Sequence, residues 1–437
     1  MKGRKGLERS HYSVEIDGSL EGREVTIGGW IEDVRPLGSL LFLTVRDCKG
    51  LCQAVFKRGS VSDKLFVEAL SVPKQSFVLI KGEVKRSKSK ALPYEVDAKE
   101  FEVLNVAKHP LPLDPTGRVP ANLDVRLDAR PLALRNPVEA AVFKVKAGLL
   151  RAARRVLEEE GFIEVDTAKI IGAAAEGGAE LFEVDYFGKK AYLAQSPQLY
   201  KEQLTLSLEK VYEIAHYFRA ERSHTTRHLN EFLSLDIEAA LYDKFDVMKV
   251  LEKIIVESVK EVRDLHKAEF EIIGYEPSVP KAPFEIITYR KALEELAAKG
   301  TAPSFGDDLD SEDLRRLGEI HKGYYFIIDW PLKLKPFYIR PHETDEFLSE
   351  SFDLMYSWLE LASGGQRIHE RWLLEKRLKE AGLDMKSFEH HLKVFDWGMP
   401  PHSGWGLGVD RWTMVVTNRR NIRETVLYPR DDQRLVP

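Results

Sequence analysis

Cysteine is almost missing, with Cys48 and Cys52 the only two in 437 residues. Two thiols cannot form a disulfide framework, and a lone C-x3-C without a matching histidine or cysteine is a weak zinc signal. No stretch approaches the roughly 20 apolar residues that a membrane-crossing helix needs. The opening MKGRKGLERSHYS also lacks the apolar segment of a secretory signal, so a reducing cytoplasm and no membrane partner are expected. Charge of one sign is not in excess either. A net charge of −5 gives no global attraction to nucleic acid, and a polynucleotide partner would have to be held by local basic patches. Repeats and low-complexity tracts are absent. With 43% apolar and 31% charged residues, the composition excludes a disordered or fibrous chain.

What is present suits two or three folded units. The first hundred residues alternate in short apolar and polar steps, as in REVTIGGWIEDV, LLFLTVRDCKGLCQAVF, SFVLIKGEVKRS and YEVDAKEFEVLNVA. Such a pattern predicts a small β-barrel. A five-stranded OB barrel fits its length and strand number, and other small barrels fit nearly as well. KHPLPLDPTGRVP, with four prolines and a glycine, reads as a hinge. Beyond it helical and strand patterns alternate. NPVEAAVFKVKAGLLRAARRVLEEEG has helical spacing until Gly161, and KFDVMKVLEKIIVESVKEVRDLH and RIHERWLLEKRLKEAG read as further helices. KVYEIAHYFRAE, EFLSLDIEAAL and ESFDLMYSWLEL read as strands of an antiparallel sheet flanked by helices.

FRAERSHTTRHLNEF, residues 218–232, crowds charges between two phenylalanines. Read as two strands joined by a loop, it puts Arg219 and Glu221 on one face. On the returning strand Leu233, Leu235 and Ile237 share one side, and Phe232, Ser234, Asp236 and Glu238 the other. A salt-bridged sheet surface explains the charges but leaves an aromatic among acids unexplained. A nucleotide explains both, with arginine on a phosphate and the ring on a base. GWGLGVDRW, at 404–412, fails the dinucleotide fingerprint, since its spacing is G-x-G-x-G. Its glycines still permit close backbone approach, and Arg411 near a helix start suits an anion.

Together these stretches resemble the class II aminoacyl-tRNA synthetases, and within them the archaeal type of the aspartyl branch. FRAERSHTTRHLNEF is similar to the second signature motif, and GWGLGVDRWTMVVTNRRNIRETVLYPRD to the third. EGGAELF, AQSPQLYKEQ and FDLMYSWLELASGGQRIH resemble the substrate-pocket segments of the aspartyl and asparaginyl subgroup. The resemblance implies an α+β protein: an OB-fold anticodon-binding domain at 1–108, a linker at 109–136 and a catalytic domain at 137–437 with an antiparallel sheet flanked by helices. It also implies a homodimer, although GFIEVDTAKII carries Ala168 where the first motif normally has a proline.

The implied reaction is ATP-dependent attachment of L-aspartate to the 3′ end of tRNA(Asp), with tRNA(Asn) as a second acceptor in part of the subgroup. Two alternatives stay open: asparagine specificity, and a synthetase-like protein that binds RNA or a metabolite without charging tRNA. By resemblance Arg219 and Arg411 are the catalytic arginines. ATP falls to Arg219, Glu221, Arg227, His228, Leu229, Phe232, Glu360, Gly408 and Arg411, with adenine between Phe232 and Arg411. L-aspartate falls to Glu176, Ser196, Gln198, Lys201, Arg219, Ser363 and Arg367, where Lys201 and Arg367 receive the side-chain carboxylate. Mg2+ falls to Asp353 and Glu360. These two are seven residues apart, which on a regular strand means opposite faces, so a bulge or bend between Met355 and Glu360 is expected. Arg35, Phe42 and Gln53 match the anticodon contacts, and KGEVKRSKSK offers a basic patch for phosphates.

Overall fold

Leu41, Leu43 and Val45 alternate with Phe42 and Thr44, and only the first set is buried. That period of two makes a strand with one wall inward. The structure, a computed structural model, describes residues 6–172, 181–222, 225–301 and 303–437. It divides into two compact units, Met1–Arg135 and Asn136–Pro437.

In the first unit β1 (Glu24–Leu37), β2 (Leu40–Arg46), β3 (Leu51–Lys57), β4 (Phe77–Arg86) and β5 (Tyr94–Asn105) close into a barrel in the order β1-β2-β3-β5-β4. Its core gathers Ile27, Ile31, Leu43, Phe56, Ile80 and Phe101. The long β1 serves two neighbours by bending. Its register with β2 shifts between Ile31 and Asp33, and at Gly29 a Cβ would overlap the carbonyl of Arg46. The proline-rich segment clusters with this unit as far as Arg135 and leads into two short helices, Leu123–Asp128 and Arg130–Ala133.

The second unit holds β6 (Ile163–Glu164), β7 (Ile170–Ile171), β8 (Glu183–Tyr186), β9 (Lys189–Leu193), β10 (Lys210–Phe218), β11 (Glu231–Ala240), β12 (Glu285–Thr288), β13 (Tyr324–Ile328), β14 (Ser351–Tyr356), β15 (Leu359–Gln366) and β16 (His402–Gly408). Eight of them form one sheet, β12-β13-β14-β15-β16-β11-β10-β6, and β7-β9-β8 form a small second one. The centre is antiparallel, as expected. Both edges differ, because β12 pairs parallel with β13 and β6 parallel with β10. Parallel neighbours need long crossovers, and helices Tyr289–Ala298 and Ser311–Ile320 lie in the one from β12 to β13.

Helices Pro137–Glu159 and Lys244–Leu265 supply apolar stripes, including Val145, Leu149, Ile254 and Val259, to the core beneath this sheet. Asn136 caps the first helix, and Gly161 follows it at φ +80°, a conformation glycine adopts without strain. From β11, Leu235, Ile237 and Ala239 join the same core. Its other face is thereby committed to the opposite side of the sheet.

Two expected elements change. The stretch read as a helix from Arg367 becomes helical only over Arg371–Glu380. ESFDLMYSWLEL is a hairpin of β14 and β15, turning at Ser357 with φ +52°.

Candidate active site

The committed face of β11 lies at the floor of a cavity of about 350 Å³, whose lining includes Phe232, Ser234 and Asp236. β15 and β16 extend this floor with Ser363, Gly364, Gly406 and Gly408. The helix Gln198–Leu208 brings Gln198 and Lys201 to it, and Arg367 follows directly on β15. Ser196 also lines the cavity, and its Oγ accepts the backbone N–H of Gln198 at 3.1 Å. Glu176 lies outside the described residues.

Lys201 and Arg367 are only 2% and 3% exposed. Buried charges need partners, and both have them. Lys201 Nζ lies 3.0 Å from Asp236 Oδ1, 3.2 Å from the Trp405 carbonyl and 3.6 Å from Glu238 Oε2. Arg367 donates to both carboxylate oxygens of Glu238, at 3.0 and 3.4 Å. Asp236 and Glu238 had no site role from sequence. The signal was there, in two acids on the same strand face as Phe232.

The glycines of GWGLG serve those acids. A Cβ at Gly404 would overlap Ile237 O and Glu238 Oε2, and one at Gly406 would come within 2.9 Å of Asp236 Oδ1. Gly404 and Gly406 make room in β16 for the carboxylates of β11. Gly408 N-caps the helix Val409–Val416, which carries Arg411.

At the other end of the cavity arginines collect. β10 ends at Phe218, so Arg219 and Glu221 stand just beyond the strand, and Asn230 Nδ2 pins this segment by donating to their carbonyls at 2.6 and 2.9 Å. Arg219 lies 5.3 Å over the Phe232 ring and 4.0 Å from Glu221. The cation on that ring is therefore Arg219. Arg411 donates to the carbonyls of Arg227 at 3.3 Å and Glu360 at 3.0 Å, and like Phe232 it lines the cavity.

Burial, together with Arg219 and Arg227 nearby, pushes the Arg411 pKa down, and burial with Arg411 does the same to His228. That mutual repulsion is what an anion would relieve. Arg227 stacks on Trp358 at 5.2 Å and donates to Ser311, while His228 Nδ1 pairs with Thr225 Oγ1 at 2.7 Å. Leu229 lines the cavity and packs with Met414 and Ile422. His224 lies outside the described residues.

Asp353 and Glu360 sit on adjacent strands. Asp353 pairs with Ser363, but beyond it the register shifts so that Met355 opposes Glu360 rather than Leu361. Paired residues share a face, so this bulge turns Glu360 to the side of Asp353. The expected irregularity is thus a hairpin plus a bulge. Burial raises the Asp353 pKa, Glu360 adds to the rise, and Lys335, 2.8 and 2.9 Å from its two oxygens, opposes it. Two hard oxygen donors on one face suit a divalent cation, which Asp353 would share with Lys335.

In the barrel Arg35 and Phe42 are directly paired across β1 and β2, with the guanidinium 5.7 Å from the ring. Arg35 donates to Gln53 Oε1 at 3.4 Å, and Gln53 Nε2 donates to Glu95 at 2.6 Å. Phe42 is half-buried on the outer wall, outside the barrel core. The basic patch is partly neutralised. Lys81 sits between Glu24 and Glu100 at 3.0 and 3.1 Å, Lys85 pairs with Asp97 and Arg86 with Glu21 at 3.5 Å, which leaves Lys88 and Lys90 outside those pairs.

The family described as tRNA synthetases class II (D, K and N) matches residues 122–432, and the OB-fold nucleic acid binding domain matches 25–104. The chain is 45% identical to the aspartate–tRNA(Asp/Asn) ligase of Methanothermobacter thermautotrophicus over 99% of both chains. It is also 45% identical to the ligase of the same name from Methanocaldococcus jannaschii over 98% of both. Among solved structures, asparaginyl-tRNA synthetase from Pyrococcus horikoshii with asparaginyl-adenylate superposes with a TM-score of 0.93 at 34% identity, covering 99% of this chain and 100% of the other. Aspartyl-tRNA synthetase from Entamoeba histolytica follows the fold with a TM-score of 0.86 at 29% identity, covering 99% and 94%. Family match, full-length relatives and a cavity built from the matching motifs agree, and the chain belongs to the class II tRNA synthetases of the D, K and N group.

Proposed function

We propose that the protein attaches L-aspartate to the 3′ end of tRNA(Asp) and, in keeping with relatives named for both tRNAs, of tRNA(Asn). The observation that carries this reading is the buried Lys201–Arg367 pair at the cavity floor. Two basic groups side by side suit the side-chain carboxylate of aspartate, while Asp236 and Gln198 beside them suit the α-ammonium. Asparagine would leave the basic groups without its anion, and a buried polar site rejects such an analogue by roughly 10⁴ or more. The likeness to asparaginyl-tRNA synthetase makes asparagine the rival worth excluding.

The chemistry has two displacements. The aspartate α-carboxylate attacks the α-phosphate of ATP, forming the mixed anhydride while the bond to pyrophosphate breaks. A ribose hydroxyl of the tRNA then attacks the carbonyl carbon, and AMP leaves. Neither step needs a protein nucleophile, so alignment and charge stabilisation supply the rate. In this reading Arg219 holds the α-phosphate and substrate carboxylate together, Phe232 stacks on the base, and Arg227, His228 and Arg411 take the outer phosphates, a division supported by their sharing one cavity lining. Glu360 and Asp353 would hold magnesium, whose charge would offset that of the phosphates. In the barrel this reading gives the anticodon base to Arg35, Phe42 and Gln53, and their meeting on the outer wall supports it. A cytoplasmic homodimer completes the reading. Aspartate- and asparagine-dependent pyrophosphate exchange, compared side by side, tests it, and a preference for asparagine would overturn it.

A further inference from the structure

Behind the substrate floor, and with no part in the steps above, lies a second buried cluster. Glu202 stands one helical turn after Gln198, is fully buried, and accepts Gln198 Nε2 on Oε1 at 2.6 Å. Its Oε2 faces two histidine rings, His391 Nε2 at 3.5 Å and His402 Nε2 at 3.7 Å, which are fully buried as well. All three of these atoms lack a conventional hydrogen bond.

The hydrogens can be placed from the partners. The Gln203 amide nitrogen lies 3.0 Å from His391 Nδ1, so Nδ1 accepts and Nε2 carries the hydrogen directed at Glu202. His402 Nδ1 lies 2.7 Å from the carbonyl of Pro400 and donates to it, so a neutral ring would turn the lone pair of Nε2 towards the Glu202 carboxylate 3.7 Å away, a repulsion that a proton on Nε2 turns into attraction. Gln198 donates to Glu202, and both rings turn Nε2 towards it, which favours the ionised carboxylate.

Charge balance points the same way. Glu202, Asp236 and Glu238 are three buried carboxylates, whereas Lys201 and Arg367 are two basic groups. The groups facing His402 are Glu202 from the helix Gln198–Leu208, Glu238 from β11, and His369 just after β15, with His391 from the helix Glu389–Phe395 on the same Glu202 oxygen. Burial works against a charge on His402, but Glu202 and Glu238 outweigh it and raise its pKa.

We propose that His402 is a buried imidazolium behind the substrate floor, the third basic group of the buried cluster after Lys201 and Arg367, and that it is a specificity-determining residue acting through Glu202 and Gln198. Aspartate enters with one net negative charge, asparagine with none. With His402 charged, the three carboxylates Glu202, Asp236 and Glu238 are matched by three basic groups, Lys201, Arg367 and His402. Without that proton they carry an extra negative charge against the acidic substrate. The network also fixes the Gln198 amide, whose nitrogen is taken by Glu202, so that its oxygen is left for the substrate ammonium. The carbonyl of His402 accepts the backbone N–H of Arg367 at 2.9 Å, which couples the ring's strand to the pocket.

The consequence for substrate choice rests on the aspartate reading, but the protonation state is measured apart from it. In wild-type protein with selectively labelled histidine, the His402 ring should show both nitrogens protonated at neutral pH, assigned by loss of the signal in His402→Gln. A neutral ring overturns the inference, whatever the enzyme charges. In pyrophosphate exchange, His402→Gln should raise KM for aspartate by about tenfold or more, with KM for ATP unchanged. Wild-type KM for aspartate should climb as pH rises through the imidazolium titration, and that climb should be absent from the variant. Adding Glu202→Gln, which keeps an acceptor for Gln198 while removing a negative charge, should restore much of the aspartate affinity. An unchanged KM in the single variant, or no recovery in the double, overturns the proposal. If wild-type enzyme exchanges with no aspartate at all, the aspartate reading fails and the ring signal still decides the state of His402.

Discussion

Lys201 Nζ and Asp236 Oδ1 meet 3.0 Å apart at the bottom of the cavity, one from a helix and one from the central strand β11. A lysine so deeply buried is unusual, and it persists because two carboxylates and a carbonyl surround it. Lys201→Leu should abolish aspartate-dependent pyrophosphate exchange, a loss on the order of 10⁴ or more. It should also cost about 3–5 kcal/mol of stability, since Asp236 is left buried without its partner. Lys201→Leu with Asp236→Asn separates the two effects: denaturation midpoints should recover, but exchange should not. Unchanged exchange in the single variant would sink the assignment of Lys201 to the aspartate carboxylate.

Gly404 and Gly406 give a test of why β16 is rich in glycine. Gly404→Ala pushes a methyl into a backbone carbonyl and a fully buried carboxylate, neither free to retreat. We expect a loss of about 1–3 kcal/mol or more, read from urea unfolding. At Gly406 the nearest atom is the end of the Asp236 side chain, which is also the group that holds Lys201. Gly406→Ala should therefore be milder in stability and heavier in KM for aspartate. Equal effects of the two substitutions on both readouts would refute this division.

The bulge beside Leu361 predicts a shared task for Asp353 and Glu360. Glu360→Gln removes the open carboxylate and should raise the magnesium concentration needed for half-maximal exchange, with saturating magnesium recovering part of the rate. Asp353→Asn also strips Lys335 of its ion pair, and should combine the same magnesium shift with a fall in stability. An exchange rate with wild-type magnesium dependence in both variants would remove these residues from metal binding.

How far the sequence carried depends on whether a feature is local. The helix Pro137–Glu159 follows from apolar spacing, an asparagine cap and a terminal glycine, all within one stretch. The inward face of β11 follows from alternation alone. By contrast, the hairpin at Ser357 bears none of the usual glycine, proline or asparagine signals, and the run of apolar residues through Tyr356, Trp358 and Leu359 reads as continuous strand. The parallel edge pairs were hidden for the same reason, since they depend on where a distant crossover returns. In the site, Lys201 and Arg367 entered through their motifs, but their partners Asp236 and Glu238 lie 35 and 129 positions away. Pairing at that range is set by the sheet order. The placement of Arg219 over Phe232 is a matter of side-chain rotamer, which no spacing encodes.

Phe42 separates recognition from chemistry. Its ring is half-buried on the barrel wall, with Arg35 over it and Gln53 tied to Arg35, so its removal opens no core cavity. Stacking on an unpaired base contributes about 1–3 kcal/mol by alanine substitution. Phe42→Ala should weaken tRNA binding by that amount in a filter or anisotropy assay, at fixed salt because phosphate contacts make affinity salt-dependent. Adenylate formation uses no tRNA, so pyrophosphate exchange should stay at the wild-type rate, and thermal stability should barely move. Arg35→Ala should weaken binding as well and flatten its salt dependence, since it removes a charge where Phe42→Ala removes none. If Phe42→Ala instead lowered the melting temperature strongly and left tRNA affinity intact, the ring would be a packing residue and the anticodon would be read elsewhere on the barrel.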